Sequence, residues 1–149
     1  MFIETQEALA KFASRAARQP VLALDTEFVW TRTFYPRLGI VQLGWSKEEA
    51  GLIDIPAIED LSALASLVTD GGVVKILHDA LQDLQIIYLK TGALPKNIFD
   101  TRLASGFCGL TSTLGLNALL TELLDIELDK SVTRTDWLQR PLTEKQETY

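Results

Sequence analysis

Asp25 and Glu27 stand two residues apart, directly after the apolar run Val21-Leu22-Ala23-Leu24. Residues two apart on a strand point to the same side, so the pair presents two carboxylates together. Such neighbours repel unless a cation lies between them, and magnesium, which takes oxygen ligands and keeps several waters, suits the pair. Spacing alone leaves a plainer reading open, an exposed strand end, because Asp125, Glu127 and Asp129 alternate likewise. Position favours Asp25 and Glu27, since active sites of open α/β sheets lie beyond the carboxyl ends of strands. A second acidic group, His78-Asp79-Ala80-Leu81-Gln82-Asp83, follows another short apolar run. Asp79 reads as a helix cap and Asp83 lies one turn further; like Asp100, both could simply complement a helix N-terminus. The lone His78 is more often a hydrogen-bonded structural residue than a base. The sequence carries no Ser or Cys nucleophile motif, no phosphate-binding glycine loop and no His pair at metal spacing.

The elements that must position these acids follow from periodicity. Thr5 is placed to cap a helix with Leu9, Phe12, Ala13 and Ala16 on its apolar side, closed before Pro20. Residues Val21 to Leu24 predict a strand buried on both faces, with Asp25-Thr26-Glu27 at its carboxyl end. Ile40 to Trp45 and Gly51 to Ile55 predict two strands, joined through Lys47-Glu48-Glu49 as an antiparallel hairpin. Leu61, Leu64 and Leu67 predict a helix ended by Gly71-Gly72, and Val73 to Leu77 another buried strand. The next helix should carry Leu81, Leu84, Ile87 and Tyr88 on one side and stop at Gly92. Ile98-Phe99 predicts a short strand, Asp100 a cap for the helix after it, and Thr113 to Leu124 a further helix. Thr143-Glu144-Lys145-Gln146 has the spacing of a capping box. Helices between strands imply an α/β domain with a mixed β-sheet.

The chain has 149 residues, 47% hydrophobic and 23% charged, the range of one ordinary globular domain. Fourteen Lys and Arg stand against 20 Asp and Glu, a net charge of -6, which argues against a protein that coats nucleic acid with a basic surface. Any nucleic-acid contact is expected to be local, weak and strongly salt-dependent. Cys108 is the sole cysteine, so the chain has neither an internal disulfide nor a Cys-based zinc site. No apolar run is long enough for a membrane span and no signal peptide is evident, so the expected location is cytoplasmic.

Five segments carry a resemblance that spacing does not supply. Leu24-Asp25-Thr26-Glu27-Phe28, Tyr35 to Leu43, His78 with Asp83-Leu84, Phe99-Asp100-Thr101 and Thr135-Asp136-Trp137-Leu138-Gln139-Arg140-Pro141-Leu142-Thr143 occur in the order found in the exonuclease domain of the ribonuclease D family, one of the DEDD group of 3′–5′ exonucleases. The resemblance implies a ribonuclease-H-like fold, a mixed sheet flanked by helices, with four acids binding two Mg2+ or Mn2+ ions. Asp25 and Glu27 match the first motif, Asp83 the second and Tyr149 the tyrosine of the third, which helps to position the attacking water. In a two-metal scheme Asp25 bridges both ions, Glu27 holds the water-activating one and Asp83 assists the other. Asp79 matches no motif position. The family's fourth acid lies four residues after that tyrosine, so residues 1–149 are expected to form one exonuclease domain lacking its last acid, with impaired catalysis and no helical RNA-binding domain.

The implied partner is RNA with a free 3′ end; no membrane is implied. Thr26, Phe28 and His78 flank the acids. Arg32, Arg37, Lys130, Arg134 and Arg140 are candidate phosphate contacts, and Trp137 or Phe34 candidate stacking platforms, each weighed against a solvated charge or a core aromatic. Two function classes stay open: an RNA-trimming exonuclease, and a noncatalytic RNA-binding or protein-interaction module derived from one.

Overall fold

The computed structural model of the protein describes residues 1–111, 113–129 and 135–148. Six strands form one mixed sheet: β1 (Phe2–Ile3), β2 (Val21–Val29), β3 (Arg37–Gly44), β4 (Ala50–Asp54), β5 (Val74–Leu77) and β6 (Ile98–Asp100). Their order is β1-β4-β3-β2-β5-β6. The β2–β3 and β3–β4 pairs are antiparallel, whereas β1–β4, β2–β5 and β5–β6 run parallel. The polar turn through Lys47 therefore makes the expected hairpin, and helical crossovers link the parallel strands.

The helices are α1 (Gln6–Ala16), α2 (Ser62–Thr69), α3 (Leu81–Thr91), α4 (Thr101–Phe107), α5 (Leu116–Leu124) and α6 (Glu144–Thr148). Thr5 caps α1, its hydroxyl accepting from the Ala8 N–H at 3.2 Å, and Leu9, Phe12, Ala13 and Ala16 are the buried residues. Gly92 ends α3 with φ +69°, a left-handed conformation that glycine adopts without a Cβ penalty. The capping box forms: the Thr143 N–H donates to Gln146 Oε1 at 2.9 Å and the Gln146 N–H to the Thr143 hydroxyl at 3.3 Å. The helix expected from Thr113 begins at Leu116, after Gly115 as its N-cap.

Adjacent residues Ile40 and Val41 lie on opposite faces of β3 and sort the core into two clusters. Val41, Leu43, Leu22, Leu24, Ile53 and Leu77 pack with α1, α2 and α3 residues in the main core. Ile40 packs with Trp137 and Leu142 of the 135–148 segment in a smaller cluster. Two expectations change. Strand β2 is buried on one face only, because Leu22 and Leu24 are enclosed while Val21 and Ala23 alternate with them in the open. Helix α3 buries Asp83, Ile86 and Ile87, and turns Leu81 and Tyr88 outward.

Candidate active site

Strand β2 does not stop before the acids; it runs through them to Val29, and its register against β3 shifts between Glu27 and Phe28. Such a bulge bends the strand and re-aims the side chains beside it. Before the shift, Asp25 pairs opposite Gln42 and Glu27 opposite Ile40. Strand β5 runs parallel to β2, so the chain leaving its carboxyl end at Leu77 brings α3 to the acid-bearing half of β2.

One carboxylate organises that exit. Asp100 accepts from the N–H groups of Arg102 at 2.9 Å and Leu103 at 3.4 Å, capping α4 as expected, and from those of Asp79 at 3.1 Å and Ala80 at 2.9 Å. Burial works against this anion, yet the four backbone N–H groups together hold its carboxyl below the ordinary range. Asp79 is consequently not the helix cap that its position predicts; it has φ +62° and forms an ion pair with Arg102. Both ring nitrogens of His78 are engaged, Nδ1 with the Thr101 hydroxyl at 2.9 Å and Nε2 with the Leu114 carbonyl at 3.0 Å. His78 ties β5 to α4 and to the segment before α5, the structural role expected of a lone histidine.

Asp25, Glu27 and Asp83 line a single open cavity of about 1070 Å³, together with Thr26, Phe28, His78 and Asp79. The buried Thr26 hydroxyl donates to Asp83 Oδ1, fastening α3 to β2 at the floor. Each acid holds its proton unusually tightly. Although Asp25 is exposed by surface area, the protein packed around its carboxyl desolvates it and this, followed by the charge of Asp83, pushes it up to about 6. Glu27 is pushed up to about 8, first by burial and then by Asp25 and Asp83. Asp83 is also raised by burial, with Asp79 adding to the effect while the Thr26 hydrogen bond opposes it.

These carboxylates raise one another, and no lysine or arginine lines their cavity among the described residues. A hard divalent cation with oxygen ligands supplies the missing countercharge, so the donor set fits such an ion. Among the described residues no three acidic, histidine or cysteine side chains stand in ready ligand geometry. The acids therefore share a cavity and a field without forming a closed cage, and Asp83 is turned toward Thr26.

A pH dependence follows. A carboxyl whose folded pKa lies above its unfolded value favours the fold while protonated, and that contribution is lost as pH rises through the folded pKa. With Asp25 moved from 3.8 to about 6 and Glu27 from 4.5 to about 8, the metal-free protein is expected to lose stability between about pH 4 and pH 8. In a domain of this size each ~1 kcal/mol lost lowers the melting temperature by roughly 2–4 °C. Melting curves in a chelator at pH 5 and pH 8 check this; a higher melting temperature at pH 8 would contradict it.

Other candidates lie elsewhere. Trp137 is 1% exposed and packs against Ile40 and Leu142, so it is a core residue and no stacking platform. Arg140 grips Asp54, with Nε to Oδ2 at 2.7 Å and Nη2 to Oδ1 at 2.6 Å, and is engaged internally instead of awaiting phosphate. Phe28, by contrast, lines the cavity and is half-buried against the main core, and Phe34 lines the cavity as well. Arg32 lies in the β2–β3 connection with φ +61°, and Arg37 opens β3; neither lines the cavity. Lys130, Arg134 and Tyr149 lie outside the described residues. Trp30, Tyr35, Leu81, Gln85, Tyr88 and Leu89 line the cavity and were missed by the sequence reading. The signal for Tyr88 was its helical spacing from Leu81, which had been assigned to the core.

Comparison with known proteins agrees with this geometry. The 3′–5′ exonuclease family matches residues 1–149. Ribonuclease D of Desulfotalea psychrophila is 55% identical over 147 residues, covering 99% of this chain and 39% of that protein. The crystal structure of Escherichia coli RNase D superposes with a TM-score of 0.94 at 42% identity, covering 100% of this chain and 40% of that one. A Trypanosoma brucei RNase D, solved in complex with RNA, has a TM-score of 0.88 at 19% identity and shares the fold. The chain thus spans about two fifths of the length of its relatives. The mixed sheet, the helices and the family match over every residue agree, and this chain belongs to the 3′–5′ exonuclease family as an exonuclease domain of the ribonuclease D type.

Proposed function

We propose that this domain hydrolyses RNA from its 3′ end, with Asp25, Glu27 and Asp83 holding two Mg2+ or Mn2+ ions. The observation that carries the reading is the convergence of three uncompensated, proton-retaining carboxylates on one cavity. Bound divalent ions supply an activated water and stabilise the leaving oxygen of an in-line displacement. The protein's part is placement. The β2 bulge aims Asp25 and Glu27, the Thr26 hydroxyl orients Asp83, and Asp100 fixes the turn from which α3 starts. Tyr149, next after Thr148 of α6, is assigned to positioning water, as the family resemblance implies.

No helix among the described residues is long and apolar enough to cross a membrane. We assign the protein to the cytoplasm, with RNA as partner.

The test uses RNA labelled at its 3′ end or at its 5′ end, in Mg2+, Mn2+ or a chelator. It compares residues 1–149 with a chain continued so that an aspartate stands four residues after Tyr149. The expected result is early release of the 3′ label, a shortening 5′-labelled ladder, no cleavage in chelator, and faster trimming by the continued chain. RNA bound but left intact by both chains would favour the noncatalytic reading.

A further inference from the structure

Strand β3 carries one amide side chain in its interior, Gln42, and the sheet sets it beside the acids. Antiparallel pairing places Gln42 directly opposite Asp25 of β2 and, on its other side, opposite Leu52 of β4. Side chains paired in this way share a face, with Cβ atoms roughly 4.5–5.5 Å apart, so Gln42 and Asp25 are immediate neighbours. Gln42 does not line the cavity; it stands behind Asp25, next to Leu52, which packs against the cluster of Ile40, Trp137 and Leu142. Its Nε2 is buried and has no hydrogen-bond partner among the described residues. A buried N–H without an acceptor costs stability, whereas an apolar side chain of the same length avoids that cost. Of its nearest neighbours on this face of β2 and β4, three can accept a hydrogen bond: Asp25, Glu27 and Asp54. Both oxygens of Asp54 are engaged by Arg140, and Glu27 lies on the longer diagonal, which leaves Asp25 as the nearest acceptor.

We propose that Gln42 is a positioning residue for the metal site, its amide N–H donating to the Asp25 carboxylate and holding it in the orientation that a divalent ion requires. A carboxylate bound to an ion keeps lone pairs free for a donor, and ligating carboxylates are themselves hydrogen-bonded by the groups around them. The Thr26 hydroxyl already serves Asp83 in this way from within β2. Gln42 serves Asp25 from the neighbouring strand, and its donor is kept unpaired at some cost in stability until the ion draws the carboxylate into place. The inference deepens the exonuclease reading and rests on it.

Gln42→Met tests it, because methionine keeps the length of the side chain and removes the donor. In chelator the variant should melt at the native temperature or above it, since no buried donor is left without a partner. Its affinity for Mn2+, measured by titration calorimetry, should nevertheless fall about 10- to 100-fold, the usual loss when a group supporting a metal ligand is removed. A residue that only packs the sheet would move these two quantities together. Trimming should show a lower kcat with a KM for RNA close to native, because Gln42 stands outside the cavity wall. Nuclear magnetic resonance supplies a direct signature: the side-chain amide signals that disappear in Gln42→Met should shift when Mg2+ is added to the native protein and stay in place in Asp25→Asn. Native Mn2+ affinity in Gln42→Met, or weaker affinity accompanied by a lower melting temperature in chelator, would overturn the proposal. The first of these results leaves the exonuclease reading intact if the native protein binds Mn2+ and trims RNA. If the native protein neither binds Mn2+ nor trims RNA, that reading falls and this proposal falls with it.

Discussion

Asp25→Asn is expected to slow metal-dependent RNA trimming by about a thousandfold or more and, in the same molecule, to raise the melting temperature of the metal-free protein at pH 8. A thousandfold is ~4 kcal/mol of transition-state stabilisation, a fair value for removing a charged ligand from a site that works by placing and neutralising charge. The gain in stability has a separate origin. Asp25 opposes the ionisation of Glu27, which is held up to about 8, partly by that charge. Asparagine keeps the shape and removes the repulsion, so Glu27 should titrate lower and the fold should lose less stability as pH rises. Sites built for function commonly carry such a cost in stability. Melting curves in chelator and then in Mg2+ read both effects: the variant should start higher and gain less from the ion, since ligand stabilisation scales with affinity. A variant with the native response to Mg2+ and the native trimming rate would remove Asp25 from the site.

The framework was legible because its signals are local. Thr5, Gly92, the Thr143–Gln146 pair and, in capping α4, Asp100 each act within a few residues, and each does there what its type and spacing predict. The Asp25 and Glu27 pair stands out in the sequence by its alternation after an apolar run, and the structure puts both residues in the wall of one cavity. Choosing Asp83 over Asp79 was beyond spacing and came from the resemblance. The structure gives the physical difference: Asp83 is buried against Thr26, whereas Asp79 sits at the rim beside Arg102.

What failed was long-range. The run Val21 to Leu24 is apolar on both sides, but hydrophobicity does not state whether a second layer arrives, and Val21 is left open. In α3 two apolar stripes compete, and the winner is set by docking of Asp83 on Thr26, 57 residues away in sequence. Trp137 and Arg140 have the types expected of nucleic-acid contacts. Their partners, Ile40 and Asp54, lie far back in the chain, and no periodicity links them.

Those last two residues define a clasp, and breaking it should be the most destabilising change outside the active site. Trp137 crosses directly over Gly39: a Cβ there would lie 2.3 Å from the Trp137 carbonyl oxygen and 2.9 Å from its carbon, both backbone atoms that cannot swing aside. Arg140 closes the loop, donating to both oxygens of Asp54 and to the carbonyls of Trp137 at 2.9 Å, Gln139 at 2.8 Å and Gly39 at 3.4 Å. Asp54 is only 3% exposed, so Arg140→Ala strands a buried carboxylate, at a cost of about 3–5 kcal/mol. Gly39→Ala forces the segment off the sheet and uncovers Trp137, a loss of similar size on the scale of deleting a buried tryptophan, about 3–5 kcal/mol. Both substitutions release the same contacts, so the double variant should fall short of the sum by about 2 kcal/mol or more. Removing both charges by Asp54→Asn with Arg140→Ala should recover part of the loss, because no buried anion then lacks a partner. Urea denaturation of the parent protein and these four variants measures these values, and proteolysis within residues 135–148 reports whether the segment has lifted. Strictly additive losses, or native resistance to proteolysis in Gly39→Ala, would show that Gly39 and Arg140 do not belong to one clasp. If they do, trimming should decline with it, since this segment leads through α6 to Tyr149, the residue assigned to the attacking water.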